Sequence, residues 1–331
     1  MRPRILIAGG YGLVGGQIAR LLRDAGHDVE LLLAGRNPDK GEALAHELAA
    51  QVIRLDVANP VAGLVEAGAV DLVVAALQDP GDKLLTATLR SGASHVGIVG
   101  MADSVASAVI AASQASPVGT ALFLGHWQAG VLVAAAQAAA RNFAIVDRVE
   151  LAALYDDADP IGPMTANDAG SFVGRTILRR DGAWVRVDAQ DEQRRITREG
   201  APAFDAAPTG VLDVLSLAAV TGAEHVRFDL GFGESLGTLA GDVASHDLYI
   251  DIEGALASGE VARRRWWVSD PQGQAHLTAL GVLIGVERVL GLDGADPPAG
   301  GVAFPETLLD PDRTLARLAD FGVRIVEGPP P

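Results

Sequence analysis

The sequence predicts an α/β fold: a doubly wound parallel sheet with helices on both faces, followed by a second, mixed α/β domain. Three observations predict it. Up to about residue 142, short β-branched runs without polar alternation are each followed by a helical stretch, the pattern of strands covered on both faces. After about residue 144 the texture changes, and 146–155 alternates polar and apolar residues in part, as a strand with one wetter face does. The chain has 331 residues of which 49% are hydrophobic, more than one common domain needs for its core.

In the first part, strands are expected at 5–8, 29–33, 52–55, 71–75, 95–99 and 121–124, and helices at 13–24, 40–50, 82–91, 103–114 and 131–141. In the second part, strands are expected at 146–155, 183–187, 225–230, 248–252 and 261–268, with turn-rich connections at 159–163 and 200–208. Residues 277–290 carry apolar side chains at helical spacing. Asp310-Pro311 then starts a final helix to about Asp320, with Asp at the N-cap and Pro at the first helical position, before a frayed tail at 327–331. The expected domains are 1–143, 144–276 and a C-terminal pair of helices, 277–331, returning toward the first domain.

A net charge of −16 repels nucleic acid and anionic lipid, so neither is an expected partner. There is no cysteine, which removes disulfides, thiolate metal sites and thiol nucleophiles together. The only lysines are Lys40 and Lys83. The apolar stretch 118–140 is broken by Gly119, Gly125, His126, Gln128 and Gly130, whereas a spanning helix needs roughly 20 continuous apolar residues. No signal peptide is read ahead of the first strand, and a cytoplasmic location is expected. No histidine or acidic cluster falls at metal-ligand spacing, so no metal is expected.

The motif that carries chemistry is Gly10-x-Gly12-x-x-Gly15, placed directly after the first strand and opening the first helix. One glycine permits the tight turn, one lets backbone approach a pyrophosphate, and Gly15 lets helix and strand pack closely. The helix N-terminus adds free N–H groups and the positive end of its dipole. This predicts a Rossmann-type dinucleotide site built from Gly9, Gly10, Tyr11, Gly12, Leu13 and Val14. The second strand ends Leu33-Ala-Gly-Arg36, without the acidic residue that would hold a ribose 2′-hydroxyl; Arg36 suits a 2′-phosphate instead, so NADP(H) is the expected cofactor. Asp56, after the third strand, either accepts from the adenine amino group or caps a short turn. Ala75, Ala76 and Leu77 close the fourth strand with small residues where backbone would pass the cofactor.

These segments, with 70–76, 89–96 and 301–311, resemble those of the saccharopine dehydrogenase-like oxidoreductases, over residues 4–142 and 277–324. The resemblance implies a two-domain NAD(P)-dependent enzyme, acting on an imine or secondary amine, a ketone or an enoyl lipid. It fades between about 160 and 265. The sequence departs from the family where Gly125-His-Trp-Gln-Ala-Gly130 replaces a Pro-Gly turn, and at Gly100-Met-Ala-Asp103.

At that departing turn His126 is a candidate for proton exchange, its ordinary pKa being near 6.5, with Trp127 and Gln128 as candidate substrate neighbours. Tyr155 and Asp168 are further candidate proton donors, and Asn167 and Arg175 candidate substrate contacts. His246 and His276 read as structural, and Arg263-Arg-Arg-Trp-Trp267 as a solvated strand edge. A short-chain reductase is excluded: four residues after Tyr11, Tyr155 and Tyr249 stand Gly15, Asp159 and Glu253, never lysine. The expectation is an NADPH-dependent oxidoreductase of a small carbonyl or imine/secondary-amine substrate. A homodimer is its candidate assembly. The alternative is a non-catalytic NADP-binding regulatory or scaffold protein.

Overall fold

The computed structural model describes residues 2–98, 102, 105–115, 118–162 and 174–328. The chain divides into two compact units, Met1–Gly125 with Thr278–Leu309, and His126–Leu277 with Asp310–Pro331.

The first unit alternates strand and helix: β1 (Arg4–Ala8), α1 (Leu13–Asp24), β2 (Glu30–Gly35), α2 (Glu42–Glu47), β3 (Gln51–Arg54), α3 (Pro60–Ala67), β4 (Leu72–Ala75), α4 (Lys83–Arg90), β5 (Ser94–Gly97), α5 (Val105–Gln114) and β6 (Thr120–Phe123). With the strand Gly301–Ala303 they form a seven-stranded sheet in which every pair is parallel, the order running from that strand through β6, β5, β4, β1 and β2 to β3. Ile5, Leu6, Ile7 and Ala8 of β1 are all fully buried, as a central strand covered on both faces requires. Each such Leu or Ile contributes about 1.5–3 kcal/mol on leaving water. The sequence missed α3 and the seventh strand. The latter is only three residues long, too short for periodicity to register.

The second unit and the chain's return continue with α6 (Val131–Ala140), β7 (Phe143–Tyr155), β8 (Arg175–Arg180), β9 (Ala183–Asp188), β10 (Arg194–Arg198), β11 (Ala201–Pro208), α7 (Leu212–Thr221), β12 (His225–Phe232), α8 (Leu236–Leu239), β13 (His246–Leu256), β14 (Val261–Asp270), α9 (Gln274–Leu290), β15 (Gly301–Ala303), α10 (Pro305–Leu308), α11 (Pro311–Asp320) and β16 (Arg324–Glu327). Its sheet has nine strands, β10-β11-β12-β7-β13-β14-β16, with β8 pairing β12 and β9. It is mixed: β7 runs parallel to β12 and antiparallel to β13.

Three expectations are corrected here. Residues 201–208 form strand β11 rather than a loop. The solvated edge reading of 263–267 fails for its tryptophans: Trp266 and Trp267 pair with β16 as well as β13 and Trp267 is 2% exposed, whereas Arg263–Arg265 precede the β16 register and pair with Glu150, Glu327 and Asp251. Glu327 closes β16 by pairing with Trp266 instead of fraying. No helix among the described residues is long and apolar enough to cross a membrane.

Candidate functional site

In the first unit the glycine turn is a cradle that side chains would fill. Gly9 has φ +81°, and a Cβ there would lie 2.7 Å from the Ala76 carbonyl oxygen; at Gly10 it would lie 2.7 Å from that of Ile7. At Gly15 it would lie 2.1 Å from the Gly9 carbonyl oxygen, so only glycine lets α1 start this close to the turn. Gly9 N–H donates to the Ala34 carbonyl (2.8 Å) and Gly12 N–H to the Gly9 carbonyl (2.9 Å), which pins the turn to β2. Gly12 is the N-cap of α1 and brings no side-chain cap, so the first N–H groups of the helix are left for an anion. Gly12 and Leu13 are exposed there, and Val14 half-buried.

Ala75 ends β4, and Ala76 N–H donates to the Ala8 carbonyl at 2.9 Å, which carries this backbone past Gly9. Leu77 is half-buried beside it. Arg36 is exposed after β2 and has no hydrogen-bond or ion-pair partner among the described residues. Of the two open readings of Asp56, the structure contains the turn: its Oδ1 accepts from Ala58 N–H at 3.0 Å and its carbonyl from Asn59 N–H at 2.9 Å. A Cβ-free cradle, an uncapped helix start and a free guanidinium fit a phosphorylated dinucleotide.

In the second unit, the departing turn is the centre of a buried polar cluster. Gln128 and Ala129 both have left-handed backbone (φ 52° and 53°), and Gly130 follows at φ 90°. Two non-glycine residues in this region cost about 1–3 kcal/mol each, a strain that surrounding contacts must hold in place. Those contacts are present. Trp127 N–H donates to Asp213 Oδ2 at 2.8 Å, and His126 Nε2 hydrogen-bonds with Ser216 Oγ at 2.8 Å. Trp127 Nε1–H and the Gln128 amide both donate to His246 Nε2, at 3.2 and 2.8 Å. His246 therefore carries its hydrogen on Nδ1, which is buried without an acceptor among the described residues.

Burial pushes His126 and His246 each down to about 3, so both rings are neutral at physiological pH. At His126 the neutral ring offers hydrogen bonds. Tyr155 ends β7, its hydroxyl donating to the Asp159 carbonyl at 3.4 Å and its ring edge-on to Phe232. Burial and the neighbours Asp157, Asp159 and Asp156 push its pKa up, away from proton donation at neutrality. Arg175 is exposed at the start of β8. Asn167 and Asp168 lie outside the described residues.

A carboxyl that sequence reading passed over has the pKa these candidates lack. Asp159 is 4% exposed and accepts from Gln274 N–H, the first residue of α9, at 2.8 Å. Burial, followed by repulsion from Asp156, Asp270 and Asp247, pushes it up to about 7. Asp156, three residues earlier, goes the other way. Burial acts to raise it, but hydrogen bonds from Ser235 N–H (2.8 Å), Thr238 Oγ1 (2.6 Å) and Ala158 N–H (2.9 Å) bring it down to about 2. Asp247 accepts from Leu236 N–H, Ser245 and Ser269, and Asp270 pairs with His276 at 2.7 Å. The sequence signal for this cluster was the run Asp156-Asp157-Ala-Asp159 after a strand. No group of His, Asp or Glu among the described residues is arranged to hold a metal ion.

Compared with solved structures, the chain superposes on saccharopine dehydrogenase (L-Glu forming) from Saccharomyces cerevisiae with a TM-score of 0.72 and 14% identity, over 98% of this chain and 100% of that one. The chain has the saccharopine dehydrogenase fold. GenD2 from gentamicin A biosynthesis, solved in complex with NAD, is more distant from that fold's agreement, at a TM-score of 0.51 and 13% identity over 99% of this chain and 97% of its own. No family model matches the chain, and no curated protein matches it in sequence.

Proposed function

We propose that this chain is an NADPH-dependent oxidoreductase that transfers hydride to or from a small carbonyl or imine/secondary-amine substrate. The observation that carries this reading is the glycine cradle at Gly9–Gly15 followed, after β2, by a free Arg36 where an acid would favour NAD. The saccharopine dehydrogenase fold supports a dehydrogenase. When bound, the cofactor supplies or takes the hydride. The glycine turn and the start of α1 hold its pyrophosphate, Arg36 its 2′-phosphate, and the backbone at 75–77 flanks it. His126, Trp127 and Gln128 are the proposed substrate neighbours, on a turn already locked in shape.

Arg36→Ala is expected to raise the NADPH dissociation constant about 10- to 100-fold, the loss of one charge-assisted hydrogen-bonded pair, and to change that of NADH less than about twofold. Titration of cofactor fluorescence measures both. An equal loss for the two cofactors sinks the NADP assignment.

The neutral state of His126 and His246, with the Tyr155 hydroxyl committed to a carbonyl, favours one other reading: a non-catalytic NADP-binding regulatory or scaffold protein. Turnover of NADPH against a panel of imines, ketones and enones separates the two. Tight binding with no oxidation across the panel supports the regulator.

A further inference from the structure

Tyr11, the variable residue between Gly10 and Gly12, has its ring in a slot made by Gly35, the last residue of β2, and Gly41 in the segment after it. A Cβ on Gly35 would lie 2.3 Å from Tyr11 Oη and 2.6 Å from Cζ; one on Gly41 would lie 2.7 Å from Cδ1. The hydroxyl oxygen accepts from Asn37 N–H at 3.1 Å, next in sequence to Arg36. The segment is closed on itself by Lys40 N–H to the Asn37 carbonyl (3.1 Å) and Gly41 N–H to that of Pro38 (2.7 Å). Asn37 N–H thus fixes the oxygen's position, while the hydroxyl's own hydrogen has no acceptor among the described residues, and Tyr11 is only half-buried. A fixed, unspent O–H donor bonded to the residue next to Arg36, whose guanidinium is also unspent, is a pair of groups that selects for an anion with several acceptor oxygens. A ribose 2′-hydroxyl offers far less to that pair than a phosphate does.

We propose that Tyr11 is a specificity-determining residue of the cofactor site, its hydroxyl donating to the 2′-phosphate that Arg36 pairs with and its ring holding the Arg36 segment in place. This rests on the NADPH reading above.

The test is calorimetric titration of wild type, Tyr11→Phe and Gly35→Ala with NADPH, NADH and adenosine 2′,5′-bisphosphate, a probe with the phosphate and no nicotinamide. Tyr11→Phe keeps the ring in its slot and removes only the hydroxyl. It should weaken NADPH and the bisphosphate about tenfold, one hydrogen bond to a charged group, and leave NADH within about twofold. Gly35→Ala keeps the hydroxyl but expels the ring, and should produce the same selective loss of NADPH and bisphosphate affinity. Equal weakening of NADPH and NADH in both variants makes Tyr11 a packing residue and overturns the proposal. So does an unchanged NADPH to NADH ratio. A wild type that does not distinguish the two cofactors overturns the NADPH reading itself, and the proposal with it.

Discussion

Replacing Gly15 with alanine is expected to weaken dinucleotide binding more than about 100-fold and to destabilise the free protein by about 1–3 kcal/mol, the usual range for forcing a methyl group into a packed site. The added Cβ would stand 2.1 Å from the Gly9 carbonyl oxygen, 2.8 Å from its carbon and 3.0 Å from Gly10 Cα. These are backbone atoms. They cannot swing aside as the end of a side chain can, and the Gly9 carbonyl is also held by the Gly12 N–H. The turn and the helix start must therefore separate, which moves the N–H groups that would face the pyrophosphate. The adjacent residue is an internal control. At Gly16 a Cβ meets the ends of Leu44 and Arg20, at 3.4 and 3.6 Å, and the Gly10 carbonyl oxygen at 4.0 Å, all ordinary contacts. Gly16→Ala should raise stability by up to about 1 kcal/mol through helix propensity and leave binding intact. Denaturant unfolding and cofactor titration of the two variants side by side check both. Equal behaviour of Gly15→Ala and Gly16→Ala would show that the close approach of α1 to the turn is not what makes the cradle.

The contrast between these two glycines shows what was legible in the sequence. The first unit is made of local units, strand, turn and helix, whose residues lie close in the chain, so glycine spacing and hydrophobic runs define them. Helix α1 runs over Leu13–Asp24 as its pattern predicts, and the Asp310 cap on α11 accepts from Arg313 N–H at 2.9 Å as Asp-Pro at a helix start predicts. The polar cluster of the second unit is built the opposite way. Trp127 reaches Asp213 across 86 residues, Gln128 reaches His246 across 118, and Asp156 reaches Thr238 across 82. No local pattern announces such pairs, and the neutral rings of His126 and His246 follow from burial that only the fold supplies. Strand β11 was hidden for another reason. Its prolines mimic a turn, yet Pro202 falls where the β10 register shifts between Ile196 and Arg198, a place in a sheet where a missing N–H is tolerated.

Asp159→Asn is the experiment with the largest expected pH effect. The carboxyl titrates at about 7 in the folded chain against 3.8 for an ordinary aspartate. Between about pH 4 and 7 the folded state keeps a proton that the unfolded chain has released. Stability therefore falls as pH rises through that window, by about 4 kcal/mol in all for a shift of about three units. The asparagine variant cannot ionise, and its amide oxygen still accepts from Gln274 N–H, so α9 keeps its first hydrogen bond. Wild type and Asp159→Asn should unfold at similar urea concentrations at about pH 3.5, below the window, with the variant increasingly the more stable as pH rises to 8. The cause of the shift is burial first, with repulsion from Asp156, Asp270 and Asp247 adding to it. Parallel pH profiles for the two proteins would sink the assignment of Asp159 as the titrating group.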